Sequence, residues 1–92
     1  MFVAIAVHHA SPEHVEDFVA FMRRVIATVG EPPGLIDFHG YRDAQSTRLV
    51  GVSHWDSAEA FQAALPLIGS LAHERRDEWS ERPDDVLMLT RI

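Results

Sequence analysis

Leu49–Leu65, LVGVSHWDSAEAFQAAL, contains the change of apolar period on which the fold turns. Up to Trp55 the apolar residues alternate, as in a strand with one face buried; from Ser57 onward they recur at helical spacing. Ser57 supplies an N-cap hydroxyl, and Glu59 an early acid for the positive end of the helix dipole. Trp55, a large aromatic at the end of the β-rich run, marks the joint between the two elements.

Working outward, Arg48–Trp55 is the later strand of a hairpin whose earlier strand is Leu35–Arg42, the two joined by the polar run Asp43-Ala44-Gln45-Ser46-Thr47. Glu31-Pro32-Pro33-Gly34 separates this hairpin from a first helix that Gly30 ends. That helix has Ser11 as N-cap and Pro12 at its first position, and Val15, Phe18, Val19, Met22, Val25, Ile26 and Val29 form its apolar stripe. A first strand, Phe2–His9, precedes it. Downstream, Pro66 interrupts the second helix, and the pattern predicts a restart that continues to about Glu81 with Ile68, Leu71, Ala72 and Trp79 inward. Arg82-Pro83-Asp84-Asp85 predicts a break before a last strand, Val86–Ile92.

The order is β-α-β-β-α-β, an α+β arrangement of the ferredoxin-like, split type: one four-stranded antiparallel sheet with both helices on one face. No linker, repeat or low-complexity stretch divides residues 1–92, so the chain reads as a single domain. The face away from the helices lacks the polar alternation of a wetted sheet, since Val3, Ile5 and Val7 oppose Phe2, Ala4 and Ala6, and Leu87 and Leu89 oppose Val86, Met88 and Ile92. A second copy packed through a twofold axis is the expected cover, giving a homodimer.

Composition narrows function. At 47% hydrophobic and 24% charged residues the chain is of soluble globular type, without an apolar run long enough to span a bilayer. Met1–Val7 lacks a basic n-region and reads as a strand, so a cytoplasmic protein is expected. Cysteine is absent, which removes disulfides, thiolate nucleophiles and cysteine-ligated metals. Lysine and asparagine are absent as well, the mark of a GC-rich genome. A net charge of −6, with no arginine cluster larger than the pairs Arg23-Arg24 and Arg75-Arg76, the latter in a charged run that reads as a solvated helix face, argues against nucleic acid as a partner.

The early Pro12, Pro33-Gly34 before the second strand, Arg42-Asp43 at its end and Trp55-Asp56-Ser57-x-Glu59-Ala60-Phe61 resemble the antibiotic biosynthesis monooxygenase-like domains of the dimeric α/β-barrel superfamily. The resemblance runs the length of the chain and implies that fold, a twofold dimer and small-molecule chemistry. Cofactor-independent oxygenation of polyketide-type aromatics, haem degradation and isomerisation all occur in the superfamily. Two family positions depart here: a Glu two residues before the Trp is Ser53, and a His nine residues after it is Ala64. The haem-degrading branch uses an Asn on the first strand, which falls near Ala6, and a second Trp, which falls on Ala64; only its downstream His has a counterpart, His73. Those departures argue against haem.

Six histidines are the candidates for chemistry at neutral pH. Strand alternation puts His8 on one face with Ala4 and Ala6 and His9 on the other with Val3, Ile5 and Val7. The resemblance turns His8 toward the helices, together with Ile36, Phe38 and Gly40, and leaves His9, His39 and Tyr41 for the dimer partner. His14 reads as a surface residue and His54 as a cross-sheet or interface residue. The small Ala4, Ala6, Gly40 and Ala64 leave room for a cavity lined by Phe38, His8, Trp55 and His73, unless Phe18, Met22, Phe61 and Leu65 fill it. His8 and His73 are then candidate bases, and Phe38 and Trp55 candidate walls for a planar substrate. No metal site is expected, because no histidine pair has helical ligand spacing, and no cofactor. The reading is a cofactor-independent monooxygenase or related enzyme acting on a phenol, quinol or similar small aromatic. A non-catalytic dimeric binding or structural module, favoured by Ser53 and Ala64, and an isomerase or cyclase are the alternatives.

Overall fold

The computed structural model describes all 92 residues, Met1–Ile92. Strands β1 (Phe2–Ala10), β2 (Leu35–Arg42), β3 (Arg48–Trp55) and β4 (Ser80–Thr90) form one sheet in the order β2-β3-β1-β4, every neighbouring pair antiparallel. Helices α1 (Val15–Val29) and α2 (Ala58–Ile68) cover one face. This is the ferredoxin-like β-α-β-β-α-β arrangement expected from the sequence. Neither helix is long and apolar enough to cross a membrane.

The joint after Trp55 forms as the sequence chemistry requires. Ser57 is extended and its hydroxyl accepts from the Ala60 N–H at 3.2 Å, capping α2. Gly34 packs under this turn with φ +86°, its carbonyl accepting from the Asp56 N–H at 2.8 Å. A Cβ at Gly34 would stand 2.5 Å from the Ala60 Cβ, so both conformation and space demand glycine there. In β3 the burial alternates strictly: Leu49, Gly51, Ser53 and Trp55 are buried toward the helices, while Val50, Val52 and His54 are half-buried on the other side.

The helix side holds two packed clusters. Ala10, Phe18, Val19, Phe21, Leu49 and Trp79 form one; Phe2, Ala4, Trp55, Phe61 and Ala64 form the other. Trp79 folds back onto α1, its ring centroid 6.0 Å from those of both Phe18 and Phe21. The outer face carries exposed apolar residues, with Tyr41 at 55%, Leu87 at 52% and Leu89 at 43% exposure. That is more apolar surface than a small sheet ordinarily leaves in water.

Four expectations are corrected. The first turn, Pro12–His14, is 3-10 and α1 starts at Val15; the Ser11 hydroxyl does not cap it but donates to the Glu78 carbonyl at 3.0 Å, tying β1's end to the segment before β4. The second helix does not restart after Pro66. It ends at Ile68 and continues as 3-10 turns at Gly69–Glu74 and Asp77–Trp79, because Pro66 supplies no N–H to the last turn and Gly69 follows. The last strand begins at Ser80, with Pro83 inside it. β4 is an edge strand, where alternate N–H groups point away from the sheet, and Pro83 lies at a bulge. A second irregularity at Leu35/Asp37 leaves Ile36 half exposed, not turned to the helices with Phe38 and Gly40.

Candidate functional site

A cavity of about 270 Å³ lies between the sheet and the helices. It exists because β1 and β3 offer Ala4, Ala6 and Gly51 along its floor, residues too small to meet the side chains descending from α1 and α2. Phe38 from β2, Met22 and Ile26 from α1, and Phe61 and Ile68 from α2 supply most of the apolar wall. The polar side chains that reach it are His8, Ser53 and Arg75.

Ser53 is fully engaged. Its Oγ accepts from the Trp55 indole N–H at 2.8 Å and donates weakly to the Ala4 carbonyl at 3.5 Å. It is therefore a strut between strands that also holds the indole.

His8 is placed for chemistry. Its ring packs on Phe18 with centroids 4.8 Å apart. Nδ1 is buried 3.0 Å from Asp84 Oδ2, off the line of a hydrogen bond, and Nε2 makes no bond within the protein. Burial pushes the His8 imidazole below its ordinary value, outweighing the pull of Asp84, while the charge of Arg75 pushes the same way as burial. His8 is accordingly neutral at pH 7, with a free ring nitrogen.

Arg75 and Asp84 close this end. The guanidinium donates to both Asp84 oxygens at 2.7 Å and to Ser80 Oγ at 3.0 Å, and lies 4.8 Å over the Phe18 ring. Burial pushes the Asp84 carboxyl up, but the Arg75 and His8 contacts overcome it and hold the carboxyl below its ordinary value. Bonding to Asp84 holds the Arg75 proton more tightly than usual.

Of the residues singled out from sequence, His8 and Phe38 meet in the cavity with Ala4 and Ala6. Trp55 does not reach it: the ring is wholly buried, edge-on to Phe61 at 5.7 Å, because Ala64 and Phe2 pack around it. His73 also lies elsewhere, exposed on the 3-10 turn that replaces the expected helix. Ala64 belongs to the Trp55 cluster, and Gly40 packs against Met22, so neither opens the cavity. Leu65 is exposed and fills nothing. Arg75 and Asp84 escaped sequence reasoning. Arg75 sat in a run of charges that reads as a solvated helix face, and Asp84 in an apparent chain break. No three metal-ligating side chains come together anywhere.

Three of the other histidines pair singly with carboxylates: His9 with Asp85 at 2.8 Å, His54 with Asp37 at 2.6 Å and His14 with Asp17 at 3.0 Å. His9, though on the outer face, is buried beside the β4 bulge.

Comparison with known proteins gives a family and a fold. The family model described as antibiotic biosynthesis monooxygenase matches residues 1–66. No curated protein matches. Among solved structures, Rv0793 from Mycobacterium tuberculosis superposes with a TM-score of 0.84 at 19% identity, covering 99% of this chain and 94% of that one. A conserved protein from Methanosarcina mazei Go1 gives 0.87 at 14% identity, with 99% and 92% covered. The haem-degrader MhuD (Rv3592) from Mycobacterium tuberculosis, solved with two haems in its active site, gives 0.78 at 23% identity, with 100% and 96% covered. At these identities the structural likeness establishes the fold.

Proposed function

The chain belongs to the antibiotic biosynthesis monooxygenase family, and from that premise we propose that it is a cofactor-independent monooxygenase acting on a small hydroxylated aromatic. The observation that carries the reading is a largely apolar cavity into which one neutral imidazole projects with Nε2 unpaired. A phenol lying against Phe38 donates its hydroxyl to Nε2. Transfer of that proton leaves an electron-rich phenolate, which dioxygen oxidises without a metal or flavin; one oxygen atom enters the ring and the other leaves in water as the quinone forms. The apolar wall protects the anion from water.

The size of the cavity favours one or two fused rings. At about 270 Å³ it stands below the roughly 300–1,000 Å³ typical of pockets for drug-sized ligands, which is too little for a tetrapyrrole. Ala6 and Ala64 add no polar contact to such a ring, and His73 is remote from the cavity. The assembly we propose is a twofold dimer through the outer sheet face, joining Tyr41, Leu87 and Leu89 of the two copies. Light scattering after size exclusion tests it, and a monomer at micromolar concentration rejects it.

Oxygen uptake with a panel of phenols, naphthols and naphthohydroquinones tests the reaction. Turnover with at least one, lost on the order of 100-fold or more in His8→Ala, is the expected result. Wild-type rates in His8→Ala remove the base. Saturable binding without oxygen uptake by any of them replaces the enzyme with a binding module, the reading that the inert Ser53 and Ala64 favour. Conversion without oxygen consumption points to an isomerase or cyclase.

A further inference from the structure

The β4 strand departs from simple pairing at one place. Val7 pairs with Asp85 and His9 with Arg82, so Pro83 and Asp84 together oppose the single residue His8. Such a bulge redirects a side chain that regular pairing would place elsewhere. Here it brings Asp84 against His8 Nδ1 at 3.0 Å, within reach of Arg75, which grips both carboxylate oxygens. Phe18 packs against both planar groups, the His8 ring centroid and the Arg75 guanidinium carbon each 4.8 Å from its ring centre. Packing alone does not call for a half-buried Arg–Asp pair at the end of an apolar cavity, since such pairs seldom add net stability.

We propose that Asp84 is a positioning residue for His8: it holds the imidazole proton on Nδ1, so that the Nε2 lone pair faces the cavity. Arg75 holds Asp84 in place and moderates its pull, leaving His8 unprotonated and ready to accept. The inference rests on His8 being the base. When a ligand hydroxyl gives up its proton, the O–H bond breaks, an Nε2–H bond forms, and the bonding pair stays on oxygen. The imidazolium charge then falls beside the Asp84 carboxylate, and the off-line Nδ1 contact tightens, as contacts of this kind commonly do only when the site is loaded. The groups facing His8 are Asp84 from β4, Arg75 from the segment before it and His9 from β1, itself bonded to Asp85. From α1 and β3 the neighbours are the uncharged Phe18 and Leu49.

The test is the tautomer and titration of His8 read from its ring nitrogens by 15N NMR on the whole protein, with His8→Gln identifying the signals. In the wild type the neutral ring carries its proton on Nδ1 and titrates below the ordinary histidine value. In Asp84→Asn the amide donates to Nδ1, the proton moves to Nε2 and the midpoint falls further. In Arg75→Gln the proton stays on Nδ1 and the midpoint rises, because a repelling charge has gone and Asp84 is freed; a merely structural pair would not move the two midpoints in opposite directions. An Nε2–H tautomer in the wild type overturns the proposal even if neither variant folds, and so does an Asp84→Asn spectrum with His8 unchanged. Since no turnover is read, the expected tautomer without oxygen uptake fails only the reaction. The wrong tautomer with uptake that depends on His8 fails only the role of Asp84.

Discussion

The cavity is bounded at one end by the Trp55 joint and at the other by the β4 bulge. At the joint every polar group is satisfied locally: the indole N–H by Ser53, the start of α2 by Ser57, the Gly34 carbonyl by Asp56, all partners being near in sequence or on the adjoining strand. At the bulge the groups come from far apart, His8 from the start of the chain and Asp84 from its last strand, with Arg75 between two 3-10 turns. The joint is closed and apolar; the bulge is half-open and leaves one nitrogen unpaired. Stability resides mainly at the first end and the capacity for chemistry at the second.

That contrast breaks most readily at Trp55. Trp55→Ala removes a fully buried indole and orphans the Ser53 hydroxyl, and the expected loss is about 3–5 kcal/mol in urea unfolding. If a folded Trp55→Ala protein loses ligand binding out of proportion to stability, the joint is part of the site and the contrast fails. Gly34→Ala is expected to cost about 2–3 kcal/mol, combining the positive φ with the 2.5 Å approach to Ala60. It should leave the His8 titration unmoved, because Gly34 packs against Ala60 and Asp56 and does not line the cavity.

The two ends were unequally legible. The hairpin, the Ser57 cap and the Trp55 joint follow from signals contained within a few residues, so the topology could be read from them. Strand alternation, rigid from Phe2 onward, put His8 on one face with Ala4 and Ala6, and the family resemblance turned that face toward the helices. Asp84 could not: Arg-Pro-Asp-Asp is turn chemistry in isolation, and only pairing with β1 at a sheet edge makes it a bulged strand. Arg75 was hidden for a similar reason, since helical periodicity carried past Pro66 turns it to solvent, whereas the 3-10 path brings it over Phe18. Trp55 misled in the opposite sense, a conspicuous aromatic whose burial is complete.

Acidity sharpens the contrast from the bulge side. In the unfolded chain His8 takes up a proton as pH falls through about 6.5, whereas in the fold burial holds its value lower. The unfolded state binds more protons in that window, so His8 stabilises the fold above pH 6.5 and its share is lost as pH falls toward the folded value. His8→Gln should therefore flatten the decline of unfolding free energy below pH 6.5 relative to wild type. An unchanged slope would mean that His8 is not held neutral by its surroundings.

Pro83 should have the smallest effect, and it asks what makes the bulge. Its ring supplies no N–H, and β4 has only β1 beside it, so an alanine N–H added there meets solvent or the bulge itself and disturbs no strand on the other side. The bulge is held on both flanks without the ring: Arg75 with Asp84 and Ser80 on the helix side, His9 with Asp85 on the outer face. Pro83→Ala should therefore change stability by less than about 1 kcal/mol, the loss of a restrained unfolded chain being the main term, and leave the His8 tautomer as it was. Should the variant instead shift the His8 titration toward that of Asp84→Asn, the proline ring and not the ionic contacts sets the register. The bulge would then be encoded in one residue, as locally as the Trp55 joint, and the difference between the two ends would lie only in what they expose.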